Sequence, residues 1–304
     1  MGQIKILPQN KQESIERMRM SDVTFIILTR NEEINLPDCL ESIKDFAKRI
    51  VIVDSGSIDR TEEIAKAYGV DFYVHPFENY ARQFNWGIDN AEIDTKWTFR
   101  LDADERLTPE LCAELENIMN EHADDEVNGV TMEAWLYFMG KKIKYGCHNK
   151  RKLMLFKTGI GRIEDRNMDE HTVLNRGGSV YAKNRFIHYD YKDMTHWINK
   201  MNWYATREVQ DYFEYKKGVD FGLSNEKDSK IVGTRKKKFG LYYKLPKFLR
   251  CWMLFMYNYI FRLGFMDGKT GFIYHYMYHR WYRTLVDAKI LEKEICNINM
   301  KISN

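Results

Sequence analysis

The chain has 304 residues, 44% of them apolar and 30% charged. That suits one large domain or a domain with an appendage, with an ordinary core, and it excludes wholesale disorder. Lys and Arg total 47 against 44 acids, and a net charge of +3 argues against a dedicated nucleic-acid binder. The five cysteines are scattered without a CxxC pair, which fits a reducing compartment and gives no zinc-site spacing. The N-terminus lacks the apolar core of a signal peptide, and no uncharged apolar run of about 18 residues reads as a membrane span.

In chain order, Val23 to Leu28 is a short apolar run that predicts a buried strand. Asn35 and Pro37 predict a helix start, with Leu36, Leu40, Ile43 and Ala47 along one face. Ile50 to Val53 predicts a second strand. Asp59 and Glu62 form a capping-box variant for a helix that Gly69 ends. Phe72 to Val74, Tyr80 to Asn90 and Trp97 to Leu101 predict strand, helix and strand. Thr108 and Pro109 open a further helix to about Asn120.

This alternation predicts an α/β fold with a mostly parallel sheet flanked by helices. Ligands in such sheets bind beyond the carboxyl ends of the strands, which singles out Thr29 to Glu32, Asp54 to Asp59 and Asp102 to Glu105. Short alternating runs between Val127 and Tyr189 predict added strands and loops. Asp193 caps a long helix from Met194 to about Lys216, in which Trp197 and Trp203 read as core. Two more helices are expected, about Leu241 to Leu263 and Gly268 to Lys293. The division expected is 1–21 as an N-terminal extension, 22–217 as the main domain, and 218–304 as a helical, aromatic-rich C-terminal extension.

Three segments can carry chemistry. In Leu101-Asp102-Ala103-Asp104-Glu105, two carboxylates one residue apart at a strand end suit a hard divalent cation shared with phosphates; a surface acidic turn reads equally from the spacing. Asp54, in Val53-Asp54-Ser55-Gly56-Ser57-Ile58-Asp59, stands where an acid can accept from a ribose or base and caps nothing obvious, while Ser57 and Asp59 cap the next helix. In Ala81-Arg82-Gln83-Phe84-Asn85-Trp86-Gly87, Arg82 and Asn85 share a helix face, and Arg82 could meet a diphosphate or simply solvent.

Together with Thr29-Arg30-Asn31-Glu32-Glu33, these segments occur in an order that resembles the inverting family 2 glycosyltransferases of GT-A fold. The similarity is closest to the bacterial branch acting on lipopolysaccharide core or other envelope glycans. It is clear from Asp22 to Asn120 and continues in Ile187-His188-Tyr189-Asp190-Tyr191. The resemblance implies transfer of a sugar from a nucleotide sugar, UDP-linked by expectation, to a glycan or glycolipid acceptor. Thr29, Asn31, Glu32, Asp54, Ser57, Arg82, Asn85 and Asp102 would bind the donor. Asp104 would ligate Mn²⁺ or Mg²⁺; His188, after a strand-like run, could complete the metal shell or be structural. The branch carries a His-Glu pair where this chain has Asp169-Glu170, so Glu170 is the expected base with Asp169 in reserve. Relatives carry Gln-x-Arg-Leu-Phe where this chain reads Lys152-Leu153-Met154-Leu155-Phe156.

Lys230, Arg235, Lys236, Lys237, Lys238, Lys244, Lys247 and Arg250 form a run without an acid, followed by the aromatic stretch Cys251 to Phe261. This predicts contact with an anionic membrane surface, at the inner face of the bacterial cytoplasmic membrane, with a helix packed on its own domain or on a second subunit as the alternative. The rival functions are a catalytically altered scaffold of the same fold and a sugar-nucleotide pyrophosphorylase. The latter would need a Gly-rich basic loop after the first strand, and a dinucleotide dehydrogenase would need GxGxxG there.

Overall fold

The computed structural model describes residues 20–147, 151–164, 170–218 and 240–302, with backbone alone from 297 onward. They fall into two compact units, one within Met1–Leu136 and Asn149–Tyr191, the other within Tyr137–His148 and Lys192–Asn304.

The first unit is built on β1 (Ser21–Thr29), β2 (Ala47–Asp54), β3 (Asp71–Val74) and β4 (Trp97–Asp102), all parallel in the order β3-β2-β1-β4. The connecting helices are α1 (Leu36–Glu41), α2 (Thr61–Ala67) and α3 (Tyr80–Asn90), and α4 (Pro109–Glu121) follows the short strand β5 (Glu105–Arg106). Beyond β4 the sheet continues antiparallel through β8 (Arg151–Lys157) to β6 (Val127–Phe138), then to β11 (Gly178–His188), parallel to β6, and β5. β9 (Gly161–Ile163) and β10 (Thr172–Leu174) form a separate hairpin.

Alternation along the strands creates two apolar layers, because successive side chains point to opposite faces. Val23, Phe25 and Ile27 of β1 pack with Leu36, Leu40, Leu111 and Leu115 of α1 and α4. Ile26, Val51 and Val53 point the other way, onto Ala81 and Phe84 of α3. Gly87 permits that approach: a Cβ there would lie 2.9 Å from Val53 Cγ2 and 3.3 Å from Ile26 Cγ2.

Most boundaries follow the sequence, with exceptions; the helix Thr61–Ala67 lacks the expected capping box, since its N-cap is Arg60 and Asp59 accepts from the Thr61 N–H at 3.1 Å. The first predicted helix stops at Glu41, and Ala47 opens β2 instead of continuing a helical face. Asn35 makes no side-chain cap; its amide donates to Glu32 and Asp190 at 2.9 Å each and accepts from the Tyr191 N–H at 2.8 Å.

The second unit is helical. α5 (Met194–Lys216) is capped by Asp193, whose carboxylate accepts from the His196 N–H at 2.8 Å. α6 (Leu249–Met256), α7 (Gly268–His275) and α8 (Tyr282–Ile302) follow, with π-helical turns at Tyr257–Phe261 and Tyr276–Trp281. The helix expected from Leu241 begins only at Leu249, because Pro246 holds Leu245 extended and cannot donate to a helix. The two-residue β7 (Lys141–Lys142) pairs with the end of β6 in this unit. α5 and α8 share a core of Met201, Ala205, Val209, Val286 and Ile290. Trp197 packs against that core, whereas Trp203, expected inside, is exposed beneath Arg207. Among the described residues no helix is long and apolar enough to cross a membrane. An α/β unit of this kind, with helical segments completing the chain, is the GT-A-type architecture.

Candidate active site

The carboxyl ends of β1 and β2 carry two loops stitched to each other. Asn31 sits in the left-handed region, φ 55°, which asparagine tolerates. Its N–H donates to Ser57 Oγ at 2.7 Å, and its side-chain oxygen accepts from the Ile58 N–H at 2.9 Å. The Glu32 N–H donates to Thr61 Oγ1 at 2.8 Å, and the Glu33 N–H to Asp59 at 3.0 Å. Asp54 is buried beneath this pair of loops. It accepts from Thr29 Oγ1 at 2.7 Å, from Ser57 Oγ at 2.5 Å, and from the Gly56 and Ser57 N–H groups at 2.8 and 2.7 Å. Asp54 thus does cap something, the turn that follows it, which Gly56 makes possible at φ 84°. Thr29, Asn31, Glu32, Asp54 and Ser57 are gathered in one structure, and these contacts shape the loop.

The two α3 residues are engaged differently. Arg82 pairs with Glu78 one turn back, with more than half of both side chains exposed. The Asn85 amide clamps β9: it donates to the Ile163 carbonyl at 2.8 Å and accepts from the Ile163 N–H at 3.0 Å. Their shared helix face therefore does not give them a shared role, because the β9–β10 hairpin covers the inner position.

At the carboxyl end of β4 the structure assembles a charged cluster. Asp102 accepts from the Tyr80 hydroxyl at 2.6 Å, and Tyr80 in turn accepts from Arg100 Nε at 2.9 Å. Lys152, from β8, lies 2.6 Å from Glu105 and 3.4 Å from Asp102. Burial opposes the Asp102 charge, but Lys152 and Arg100 outweigh it and hold its pKa below the ordinary carboxylate value. Burial dominates at Glu105, with Asp102 and Asp104 adding repulsion, so its pKa is raised despite the lysine. Burial also disfavours the Lys152 ammonium, yet Glu105 and Asp102 together raise its pKa.

Asp104 and His188 meet beside this cluster. The β5–β11 pairing sets His188 opposite Glu105, and the Tyr189 N–H donates to the Asp104 carbonyl at 2.9 Å. Arg106 ties the same turn together, donating to the Tyr189 and Asp104 carbonyls at 2.7 and 3.1 Å. His188 Nε2 thereby lies 3.4 Å from Asp104 Oδ2. Burial lowers the imidazole pKa, but the Asp104 charge prevails and the net direction is upward. Glu170, half-buried, is linked to the cluster through its carbonyl, which accepts from Arg100 Nη1 at 3.4 Å. Asp169 lies outside the described residues.

Carboxylate and imidazole converging at a strand end form a donor pair that fits Mn²⁺ or Mg²⁺. Such cations take one or two protein ligands and complete their shell with substrate phosphates and water. Among the described residues no group of three or more His, Cys, Asp or Glu gathers to hold a metal. Tyr80 and Arg100 belong to none of the sequence motifs. Their signal was Arg100 itself, a charge set between Phe99 and Leu101 inside a strand, which requires a buried partner.

The fold and this strand-edge cluster define a glycosyltransferase-type α/β protein, and the chain belongs to the Glycosyl transferase family 2, whose model matches residues 24–183, more than half of the chain. It is 28% identical over 270 residues to the lipopolysaccharide core biosynthesis glycosyltransferase LpsC of Rhizobium meliloti, covering 84% of this chain and 89% of that protein. It is 27% identical over 217 residues to an uncharacterized glycosyltransferase of Rickettsia typhi, covering 68% and 74%. Among solved structures, S. aureus TarS 1-349 is similar at a TM-score of 0.43 and 13% identity, over 89% of this chain and 91% of that one. Glucosyl-3-phosphoglycerate synthase from Mycobacterium tuberculosis, solved with Mn²⁺, uridine diphosphate and glucosyl-3-phosphoglycerate, matches at a TM-score of 0.32 and 16% identity, over 45% and 51%.

Proposed function

We propose that this glycosyltransferase moves a sugar from a nucleoside-diphosphate donor to a lipopolysaccharide-core or related envelope-glycan acceptor, with inversion, at the inner membrane surface. The observation that carries the reading is the Asp104–His188 pair at the carboxyl edge of β4, beside the Asp102–Lys152–Glu105 cluster. The acceptor class is supported by the likeness to the Rhizobium meliloti protein along most of both chains. The first unit is the catalytic domain in this reading, with uridine diphosphate as the carrier.

The loops after β1 and β2, held by Asp54, Asn31 and Ser57, form the wall for the nucleoside. Asp102, oriented by Tyr80 and Lys152, meets the donor at the ribose or its diphosphate. Asp104 and His188 would hold the divalent ion, which when bound would supply charge neutralisation at the diphosphate. Arg82, paired on an exposed helix face, can reach an anion only by leaving Glu78.

Glu170 takes the proton of the acceptor hydroxyl as that oxygen attacks the anomeric carbon and the nucleoside diphosphate leaves. Its carbonyl contact with Arg100 keeps this residue beside the Tyr80–Asp102 pair. Glu170→Gln keeps the shape and removes the base, so turnover should fall about 10²–10⁴-fold with donor affinity nearly unchanged. Full turnover in Glu170→Gln with a dead Asp169→Asn would move the base one residue upstream. The wild-type assay also answers the scaffold alternative, since a scaffold releases no nucleoside diphosphate.

A further inference from the structure

The helical unit carries an apolar surface that the transfer reaction does not use. Fourteen of the twenty-six exposed large apolar side chains among the described residues lie between 241 and 276, so exposure is concentrated there and not scattered. α6 and its π-helical continuation bury Arg250, Cys251, Phe255 and Asn258 on one face. The opposite face exposes Trp252, Met253, Met256, Ile260 and Phe261, at helical spacing, and Phe261 is 75% exposed. A soluble helix ordinarily turns polar residues outward, and this one turns an apolar stripe outward instead. Beside it lies a hollow of about 400 Å³, lined by Tyr259, Phe265, Phe272 and Ile273 with Lys269.

The charges near this face are mostly positive. Residues 240–281 contain six Lys or Arg and a single acid, Asp267. Asp267 is occupied, accepting from the Lys144 and Tyr145 N–H groups at 3.0 and 2.9 Å. Arg250 is buried against Asp287 and Lys247 is paired with Glu294, while Lys244 and Lys269 are exposed. Arg280 lies over the Trp252 ring, 4.4 Å from its centroid, so a cation borders the apolar stripe itself. A second copy of the chain fits this surface poorly. A two-fold contact would set the cationic rim against itself. An anionic bilayer offers the complement, with headgroup charge for the lysines and acyl chains for the stripe.

We infer that the α6 face, from Trp252 through Phe261 with Phe265, inserts into the interface of an anionic bilayer and is the main membrane contact of this protein. The inference deepens the reading of a membrane-borne acceptor given above, but it does not depend on the transfer chemistry. It also shifts weight away from Lys236, Lys237 and Lys238, which lie outside the described residues.

The test is co-sedimentation of the full chain, without donor or acceptor, with phosphatidylglycerol or phosphatidylcholine vesicles at low and high salt. Wild type should prefer phosphatidylglycerol and keep part of that binding at high salt, because insertion of apolar area is not screened. The pair Met253→Ser and Phe261→Ser should weaken binding about tenfold or more. Lys236, Lys237 and Lys238→Gln should reduce only the salt-sensitive part. Since both serine positions are exposed, an unchanged thermal midpoint controls for folding. If the pair fails to fold, amide exchange in wild type reads the same contact, with vesicles slowing exchange at 249–265. The inference is overturned if wild type ignores phosphatidylglycerol, if the serine pair binds as well as wild type, or if the face is protected without lipid in a dimer. Loss of transfer with vesicle binding intact would count against the enzymatic reading alone.

Discussion

Both units bury acids against bases, and they do so to different ends. In the helical unit, Glu208 accepts from Tyr243, Tyr282 and Arg283 at 2.8, 2.7 and 2.7 Å. Asp287 accepts from Arg250, from Cys251 at 3.2 Å and from the Phe248 N–H at 2.8 Å. Their side chains keep 3% and 1% of their surface, so these acids are shut inside and hold helices together. At the sheet edge, Asp104 and His188 keep 12% and 35%, and Asp102 keeps 27%. The residue types are alike. What separates a packing device from a site is that the second opens at strand ends, where a ligand can complete it.

That contrast can be broken most sharply at Asp104. Asp104→Ala should lower transfer about a thousandfold, the several kcal/mol that a metal ion supplies, and leave the thermal midpoint nearly unchanged. Normal turnover would make the sheet-edge acids structural as well. Arg250→Leu should behave in the opposite way. It strands the Asp287 charge in the interior and should cost about 3–5 kcal/mol of stability, read in denaturant unfolding, with donor binding retained where the protein is folded. A change under 1 kcal/mol would contradict the packing role.

Lys152 lies between the two cases, since it is ion-paired yet 31% exposed. Lys152→Met should reduce kcat/KM about 10–100-fold, the range for a residue that orients groups meeting substrate, and Lys152→Arg should recover part of the loss. Unchanged kinetics with lowered stability would class it with Glu208. The smallest effect concerns His275, buried with its Nε2 3.2 Å from the Tyr145 carbonyl. Burial lowers its pKa, so the unfolded chain takes up the proton first. Its contribution is therefore full above the ordinary imidazole value of 6.5 and is lost as pH falls below it. Amide exchange in α7 should quicken between neutral and mildly acid pH, and no change there would count against this linkage.

The sequence made the parallel core legible because β1, β2 and β4 are apolar runs closed by helix signals. α3 and α5 begin and end where their patterns predict, at Tyr80–Asn90 and Met194–Lys216. Pro246 was the visible signal against a helix from Leu241. The order β4-β8-β6-β11-β5 was not legible, because three of its four pairings join residues 50 or more apart, and such register leaves no local trace. The site divides the same way. Asp102 and Asp104 stand in a motif, and His188 follows a strand, but their meeting depends on the antiparallel β5–β11 pair. Lys152 shows in the sequence only as a departure from the family pattern, and its partners come from two other strands. Likewise Arg250 counts as a surface charge until Asp287, 37 residues on, is seen to bury it.

The central claim is that Asp104 and His188 share a divalent ion with the donor's diphosphate. Calorimetric titration of Mn²⁺ into the protein, with and without uridine diphosphate, tests it most directly. Two protein ligands alone should hold Mn²⁺ weakly, and uridine diphosphate should tighten it markedly, with the gain abolished in Asp104→Ala. Tight Mn²⁺ binding without nucleotide, or nucleotide binding that is indifferent to both the ion and Asp104, would contradict the account.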